Sequence, residues 1–322
     1  MKKIANGLAA IAFSMTLLAS AQAQGYPEKS VRIVVPYPAG GTTDIIARVA
    51  ATQLGQVLKQ SFVVENRPGA SGAIGSAEVA RATPDGYTLL MGTASTHGIN
   101  SALYKNLPYD AVKDFAPVTV VASTPNIIAV NPSVAAKTLP ELIALAKAEP
   151  GKLNYGSTSA GGSPHMSGEL LKMMSGIDVV HVPYKGAAPM LTDLIGGQIQ
   201  IGFDNLPSTI NFVRTGKLRA IAVTTAQRWP GEPDIPTVAE TVPGYEVSGW
   251  FGLLAPNGTP KPILDRLQQA LAQAVKTPEV SKQITDLGAQ PVVNTPEQFA
   301  GQIKADVEKW QAVVKATGIK IE

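Results

Sequence analysis

A glycine-rich loop between a short apolar run and a helical segment constrains the fold of this chain more than any other feature. Residues 31–48 read VRIVVPYPAGGTTDIIAR. The apolar run at 33–35 does not alternate with polar residues, which is typical of a parallel strand covered on both faces. Gly40 and Gly41 allow a sharp turn, and Thr42 or Thr43 is expected to cap the following helix. The free N–H groups of such a helix start carry a positive partial charge, so the loop is predicted to hold a carboxylate.

A similar pattern returns in the second half of the chain. Residues 153–156 predict a strand, and the sequence STSAGG follows at 157–162. A helix then opens, with Ser163 expected at the N-cap and Pro164 in the first turn. Two such loops that face each other across a cleft could hold the two ends of a dicarboxylate, or one carboxylate jointly.

Two further segments are candidates for the same cleft. The hydroxyl-rich segment 93–97 follows a strand predicted at 87–92, and Asp204 ends a strand predicted from residue 199. In an open α/β sheet the ligand crevice lies at the carboxyl ends of the strands. Segment 93–97 is either a set of hydrogen-bond donors or a solvated turn. Asp204 suits a ligand amine, a hydroxyl or a water, and it can equally cap the helix that begins near Leu206.

The N-terminus has the pattern of a secretory signal. Lys2 and Lys3 precede an apolar run at 8–18, and Ala21-Gln22-Ala23 predicts cleavage before Gln24. The run is shorter than the roughly 20 residues that a spanning helix needs. The chain has no cysteine, so an exported protein of this length is expected to depend on core burial, and thiolate catalysis and thiolate metal sites are excluded.

Catalytic and nucleic-acid-binding functions find no support in the residues. The sequence has neither a G-x-S-x-G nucleophile elbow nor a phosphate-binding loop with its lysine. The three histidines, His97, His165 and His181, lack the spacing of zinc ligands. His165 is expected to donate a hydrogen bond to a ligand or to pack, and His181 to be structural. No metal or cofactor is predicted. A net charge of +3 does not indicate the strongly basic surface that binds nucleic acid.

The length of 322 residues is enough for two lobes. Apolar, β-rich segments at 115–122 and 127–130 predict two strands, and the chain is expected to cross between lobes in this region. Residues 243–249 are expected to carry the return crossover. The predicted organisation is a signal peptide at 1–23, lobe 1 at 24–124 and 249–322, and lobe 2 at 125–248.

Several motifs, taken in order, resemble the Bug family of extracytoplasmic solute receptors of tripartite tricarboxylate transporters. They cover essentially the whole mature chain: YP at 26–27, RIVVPYPAGGTTD at 32–44, NRPG at 66–69, NYGS at 154–157, HVPYKG at 181–186, GGQ at 196–198, KLRA at 217–220, DIPT at 234–237 and APNGTP at 255–260. The resemblance implies an α/β, two-lobed periplasmic binding protein fold, type II-like, with a ligand cleft between the lobes and two chain crossovers.

The family binds small carboxylates through backbone and hydroxyl groups of two loops, often with bridging waters. Tyr37 stands where many relatives have Phe. Carried over to this chain, the ligand-binding residues are expected to be Tyr37, Ala39, Gly40, Gly41, Thr42, Thr43, Asp44, Thr93, Ser95, Thr96, His97, Ser157, Thr158, Ser159, Ser163, His165 and Asp204.

The resulting functional prediction is a monomeric periplasmic solute-binding protein that delivers an organic carboxylate to the membrane subunits of a transporter. The acid is left open between a tricarboxylate, a dicarboxylic amino acid and an aromatic acid. Two other functions also stay open: a periplasmic sensor that presents its ligand to a signalling partner, and, in a different class, a secreted hydrolase or transferase.

Overall fold

The computed structural model describes residues 25–319, in which helices and strands follow the mixed α/β order that the sequence predicts. The predicted signal peptide at 1–23 and its cleavage site before Gln24 lie outside the described residues. No helix within residues 25–319 has both the length and the apolar character needed to cross a bilayer.

The first half of the sheet is built around the predicted opening strand. Strand β1 (Val31–Val35) lies parallel between β2 (Phe62–Asn66) and β3 (Thr88–Thr93). Most of β1 is fully buried, which confirms that both of its faces are covered. The glycine loop follows β1 and leads into helix α1 (Thr42–Leu58), as predicted.

Two long antiparallel strands connect the halves of the sheet. Strand β4 (Phe115–Val130) pairs with β9 (Ser248–Pro256) through residue 125, and from residue 126 it pairs with β7 (Ile201–Asn205) and β8 (Arg219–Val223). The sequence predicted two separate strands here, which is wrong. Residues 123–126, three of which are polar, stay in the ladder. Strand β9 pairs with residues 123–125, and β7 and β8 continue the pairing from residues 126 and 127.

The second half repeats the arrangement of the first. Strand β5 (Asn154–Ser157) lies parallel between β6 (Val180–Pro183) and β7. Its helices are α4 (Leu139–Ala148), α5 (Ser163–Ser175), α6 (Ala187–Ile195) and α7 (Leu206–Arg214), with a 3₁₀ turn at Val238–Glu240. Helices α5, α6 and α7 each begin at the end of the sheet where β5 and β7 finish.

The remaining elements close the first half. After the 3₁₀ turn Ala70–Gly72 come α2 (Ala73–Ala80) and a π-helical turn Ser95–Ile99 that continues into α3 (Asn100–Leu103). The chain ends with α8 (Lys261–Val275), α9 (Pro278–Asp286), β10 (Gln290–Pro291) and α10 (Pro296–Thr317). Trp310 of α10 belongs to an apolar cluster with Ile99 and with Leu142 of α4, so α10 packs against both halves.

Candidate functional site

A cavity lies at the carboxyl ends of β1, β3, β5 and β7, between the two halves of the sheet, and is called the central cavity below. It measures about 550 Å³, including the part open to solvent. Ten of the predicted ligand-binding residues line it: Tyr37, Gly41, Thr42, Thr43, Thr93, Ser95, Thr158, Ser159, Ser163 and Asp204. The other lining residues are Pro38, Ala94, Pro164, Gly186, Ala187, Asn205, Gly249, Trp250 and Phe251.

Four helices begin at the central cavity, and none of them has a side-chain cap. The N-cap residues of α1, α5, α6 and α7 are Gly41, Gly162, Gly186 and Asn205. The sequence predicted Thr42 or Thr43 as the N-cap of α1 and Ser163 as the N-cap of α5. Both predictions are wrong, because the N-caps lie one or two residues earlier. Helices α4, α9 and α10 begin away from the cavity, and the side chain of a threonine caps each of them.

At α1 the missing cap leaves N–H donors available. The first backbone hydrogen bond of α1 runs from the N–H of Ile45 to the carbonyl oxygen of Gly41, at 3.0 Å. The N–H groups of Thr42 and Thr43 therefore have no acceptor within the helix. Since the four helix starts also point their positive dipole ends at one cavity, the cavity is suited to an anion.

Side-chain hydroxyls supply the other polar groups of the cavity. Eight hydroxyl-bearing residues line it: Tyr37, Thr42, Thr43, Thr93, Ser95, Thr158, Ser159 and Ser163. A hydroxyl can donate to a carboxylate and can also accept from a ligand group. No lysine or arginine is among the described residues that line the cavity, so neutral dipoles would balance the charge of a bound acid.

Hydrogen bonds join the two halves across this cavity. The N–H of Ser163 donates to Oγ of Ser95 at 3.0 Å, and Oγ1 of Thr42 donates to Oγ of Ser208 at 3.2 Å. Oγ of Ser71 donates to the carbonyl oxygen of Ala160. The first loop therefore contacts helix α7 of the second half, and the second loop contacts Ser71 and Ser95 of the first half, which is a closed arrangement of the halves.

Asp204 is the acidic residue of the lining. Its carboxylate accepts hydrogen bonds from the N–H of Asn205 at 2.8 Å and from the hydroxyls of Ser208 at 2.5 Å and Thr209 at 3.0 Å. Burial raises the pKa of Asp204 to about 6, despite these donors. Although Asn205 is the N-cap, Asp204 accepts from three groups at the start of α7, so it supports this helix start as well as facing the cavity.

Seven of the predicted residues lie outside the lining. On the first loop these are Ala39, Gly40 and Asp44. The carboxylate of Asp44 accepts from the N–H of Gly40, from Nε of Arg48 and from the amide of Asn66, each at 3.0 Å. Burial alone would raise the pKa of Asp44, but these donors hold it below its usual range. The structure thus places Asp44 where it fixes the loop.

Thr96 and His97 lie beneath the cavity, in the π-helical turn that replaces the predicted loop. Oγ1 of Thr96 accepts from the N–H of Thr93 at 3.0 Å and lies 2.9 Å from Nδ1 of His97. The His97 ring is fully buried against Phe115, with ring centroids 4.6 Å apart, and burial lowers its pKa to about 3.

Ser157 and His165 lie behind the second loop. Oγ of Ser157 is 2.7 Å from Nε2 of His181, and Nδ1 of His165 accepts from the N–H of Gly161 at 2.9 Å. The two imidazole rings stack with centroids 4.0 Å apart. Burial lowers the pKa of His181 to about 3 and also lowers that of His165. Both rings are therefore neutral at pH 7 and support the loop from outside the cavity.

Sequence reasoning missed several residues of the site. Trp250 and Phe251 belong to β9 and reach the cavity only because β9 pairs with β3 and β4. Asn126 lies directly behind two helix starts: its Oδ1 accepts from the amide of Asn205 at 2.6 Å and from Oγ of Ser163 at 3.4 Å. The one signal for Asn126 in the sequence was an amide residue directly before the apolar segment 127–130.

The described residues contain no group of three or more His, Cys, Asp or Glu side chains placed to hold a metal ion. The stacked pair of His165 and His181 is engaged in hydrogen bonds with the second loop instead.

A model of the tripartite tricarboxylate transporter family receptor matches residues 46–319. The chain belongs to this family. It is 35% identical to Protein BugT of Bordetella pertussis over 308 residues, which cover 95% of this chain and 94% of that protein. The resemblance to Bug proteins is thereby confirmed.

Two solved structures show the fold with a bound acid. An R. palustris protein with adipate is 40% identical, with a TM-score of 0.89 over 92% of this chain and 99% of that one. MatC from Rhodopseudomonas palustris with bound malate is 33% identical, with a TM-score of 0.85 over 90% of this chain and 100% of that one. The two-lobed periplasmic binding protein fold is confirmed, and the chain is a solute-binding protein rather than an enzyme.

Proposed function

We propose that this protein captures a small organic carboxylate in the periplasm and delivers it to the membrane subunits of a tripartite tricarboxylate transporter. One observation carries the proposal: four helix starts without side-chain caps and eight hydroxyl-bearing residues converge on one cavity that has no basic side chain. The adipate and malate in the two related structures are carboxylates of the same kind.

In the proposed complex, the carboxylate accepts hydrogen bonds from the N–H groups and hydroxyls of Thr42 and Thr43 on one side. Thr158, Ser159 and Ser163 provide hydroxyls on the other side. Because the ligand contacts both loops, it favours the closed arrangement over an open one, and the closed form is the one that a membrane partner would recognise.

The change between the open and closed forms is proposed to move two lobes relative to each other. One lobe consists of residues 24–124 and 249–322, and the other of residues 125–248. Two features support these boundaries: β4 changes partners from β9 to β7 and β8 at residues 125–126, and β9 begins at Ser248. Residues 1–23 are proposed to be removed on export, which leaves a mature monomer that begins at Gln24.

The proposal is tested by titrating the mature chain with a panel of tricarboxylates, dicarboxylates, acidic amino acids and aromatic acids, with isothermal calorimetry as the readout. Thr43→Val removes one cavity hydroxyl without changing the shape of the side chain and is expected to weaken binding about 10-fold. Thr52→Val is the matched control, since Thr52 lies on an exposed part of the same helix and bonds the carbonyl oxygen of Arg48. A folded protein that binds no acid of the panel would contradict the proposal.

Transport is tested separately. A strain that lacks the protein is expected to lose uptake of the radiolabelled acid, and complementation with the wild-type chain to restore it. Unchanged uptake in that strain would contradict the delivery role while leaving carboxylate binding intact.

A further inference from the structure

A second chamber adjoins the central cavity on the far side of Tyr37. It measures about 1110 Å³, including its open part, and is called the outer chamber below. Five residues line both spaces: Tyr37, Pro38, Thr158, Ser159 and Gly186. The two spaces are therefore neighbours separated by one thin wall, and a ligand anchored in the central cavity needs to pass only this wall to reach the outer chamber.

The wall is formed by contacts between the two halves of the protein. A Cβ atom added to Gly186 would lie 3.1 Å from Cγ of Pro38, so these residues meet closely across the cleft. The Tyr37 hydroxyl lies 3.3 Å from Oγ1 of Thr93, which lines the central cavity, and 3.4 Å from the carbonyl oxygen of Ser71, which lines the outer chamber. Tyr37 is thus held by one weak hydrogen bond on each side of the wall.

The two chambers differ in chemistry. The central cavity is lined mainly by hydroxyls and helix starts, whereas the outer chamber is bounded largely by apolar and aromatic groups, among them Pro68, Tyr104 and Tyr184. Lys185 is the one charged residue among the described residues that line the outer chamber. It is exposed, and no carboxylate within residues 25–319 forms an ion pair with it.

We infer that the outer chamber receives the far end of an elongated dicarboxylate and that Tyr37 and Lys185 set the length preference of the protein. This inference rests on the proposed function, because it requires one carboxylate to be anchored in the central cavity. The carbon chain of the acid passes Tyr37 and lies against the apolar surface of the outer chamber. The second carboxylate then meets the ammonium of Lys185 at the rim.

The preferred ligand class follows from the order in which a bound acid meets the polar central cavity, the apolar surface of the outer chamber and the ammonium of Lys185. On this inference a four-carbon diacid lies wholly within the central cavity, so the lysine contributes nothing to its binding. A diacid of six to eight carbons buries additional CH₂ groups, each worth about 0.8 kcal/mol when fully buried, which is about 4-fold in affinity. A monocarboxylate of the same length gains the apolar contact without the charge contact.

The test is a calorimetric titration of the mature chain with succinate, adipate, suberate and hexanoate at low salt. Adipate or suberate is expected to bind at least about 4-fold more tightly than succinate. Lys185→Gln is expected to weaken the binding of the two longer diacids about 2- to 5-fold, as measured for exposed ion pairs, and to leave succinate and hexanoate unchanged. The loss is expected to shrink in 0.5 M salt, because solvent ions screen an exposed pair.

Two further variants sharpen the test. Lys217→Gln removes another exposed lysine of the same half, which lines neither chamber, and is expected to change none of the affinities. Tyr37→Ala removes the ring from the wall, so succinate is expected to lose more affinity than suberate, and the suberate-to-succinate ratio of association constants to rise at least about 3-fold.

The outcomes separate the inference from the proposed function. If succinate binds but chain length has no effect, or if Lys185→Gln leaves every diacid unchanged, the inference is overturned and the proposed function stands. If none of the acids of this set or of the wider panel binds to the folded protein, the proposed function fails and the inference fails with it.

Discussion

Asp204 gives the sharpest prediction about stability, because the structure buries an acid in a cavity proposed for an anion. Burial raises its pKa from 3.8 to about 6. The folded state therefore binds a proton more readily than the unfolded state, so the protein is most stable below pH 3.8 with respect to this group. That stability is lost as the pH rises through 6, and at pH 7.5 the loss amounts to about 3 kcal/mol.

Asp204→Asn removes this titration while keeping the shape of the side chain. The amide oxygen can still accept from the N–H of Asn205, and the hydroxyls of Ser208 and Thr209 can accept from its NH₂ group. The difference in unfolding free energy between variant and wild type is expected to shift in favour of the variant by about 2 kcal/mol between pH 4.5 and pH 7.5.

The assay is urea unfolding at several pH values, followed by the fluorescence of the three tryptophans. Taking the difference between the two proteins cancels the contributions of the histidines, which titrate in both. A difference in unfolding free energy that stays constant from pH 4.5 to pH 7.5 would refute the reasoning, because it would mean that burial does not perturb Asp204.

The same residue distinguishes between classes of ligand. An anionic carboxylate beside Asp204 raises its pKa further, so binding takes up a proton and the affinity falls as the pH rises above 6. An ammonium group at this position keeps Asp204 ionised, so the affinity of an acidic amino acid falls as the pH drops below 6. Calorimetry in buffers of different ionisation enthalpy measures the proton uptake, and Asp204→Asn is expected to abolish it.

Two further predictions concern the support of the site. Asn126→Ala leaves the amide of Asn205 without its acceptor and removes the donor to the hydroxyl of Ser167, and we expect it to lower the unfolding free energy by about 2–4 kcal/mol. A loss below about 0.5 kcal/mol in urea unfolding would contradict this, since surface substitutions cost that little. Burial holds the pKa values of His97 and His181 near 3, so the unfolded state takes up their protons first as the pH falls below 6.5. Between pH 7 and pH 5 the fully buried His97 is expected to remove about 2 kcal/mol of stability and the partly exposed His181 a smaller amount, and replacement of either by Gln should flatten this dependence.

The parts of the fold that the sequence predicted correctly depend on local signals. An unbroken apolar run followed by Pro and Gly was enough to predict β1, its loop and the start of α1, and STSAGG was enough for the second loop. The N-caps were misplaced because the residue types that usually cap helices stand one or two positions inside α1 and α5. At a ligand cavity, an uncapped start leaves N–H groups free, so the usual preference for a capping side chain does not hold there.

The parts that could not be predicted depend on contacts between segments far apart in sequence. Asn126 and Asn205 are 79 positions apart and meet only because β4 pairs with β7. Trp250 reaches the cavity through the pairing of β9, and His97 leaves it because the chain forms a π-helical turn where the sequence predicted a loop. Residue type marked only His97 among these side chains as able to bind a ligand, and only the tertiary structure shows which of them face the cavity.

The most direct test of the central claim is a crystal structure of the mature protein with the tightest-binding acid of the panel. The account predicts a carboxylate of the ligand within hydrogen-bonding distance of the N–H groups of Thr42 and Thr43 and of hydroxyls from residues 158–163. A carboxylate held instead by a lysine or arginine side chain, or bound outside the central cavity, would contradict it.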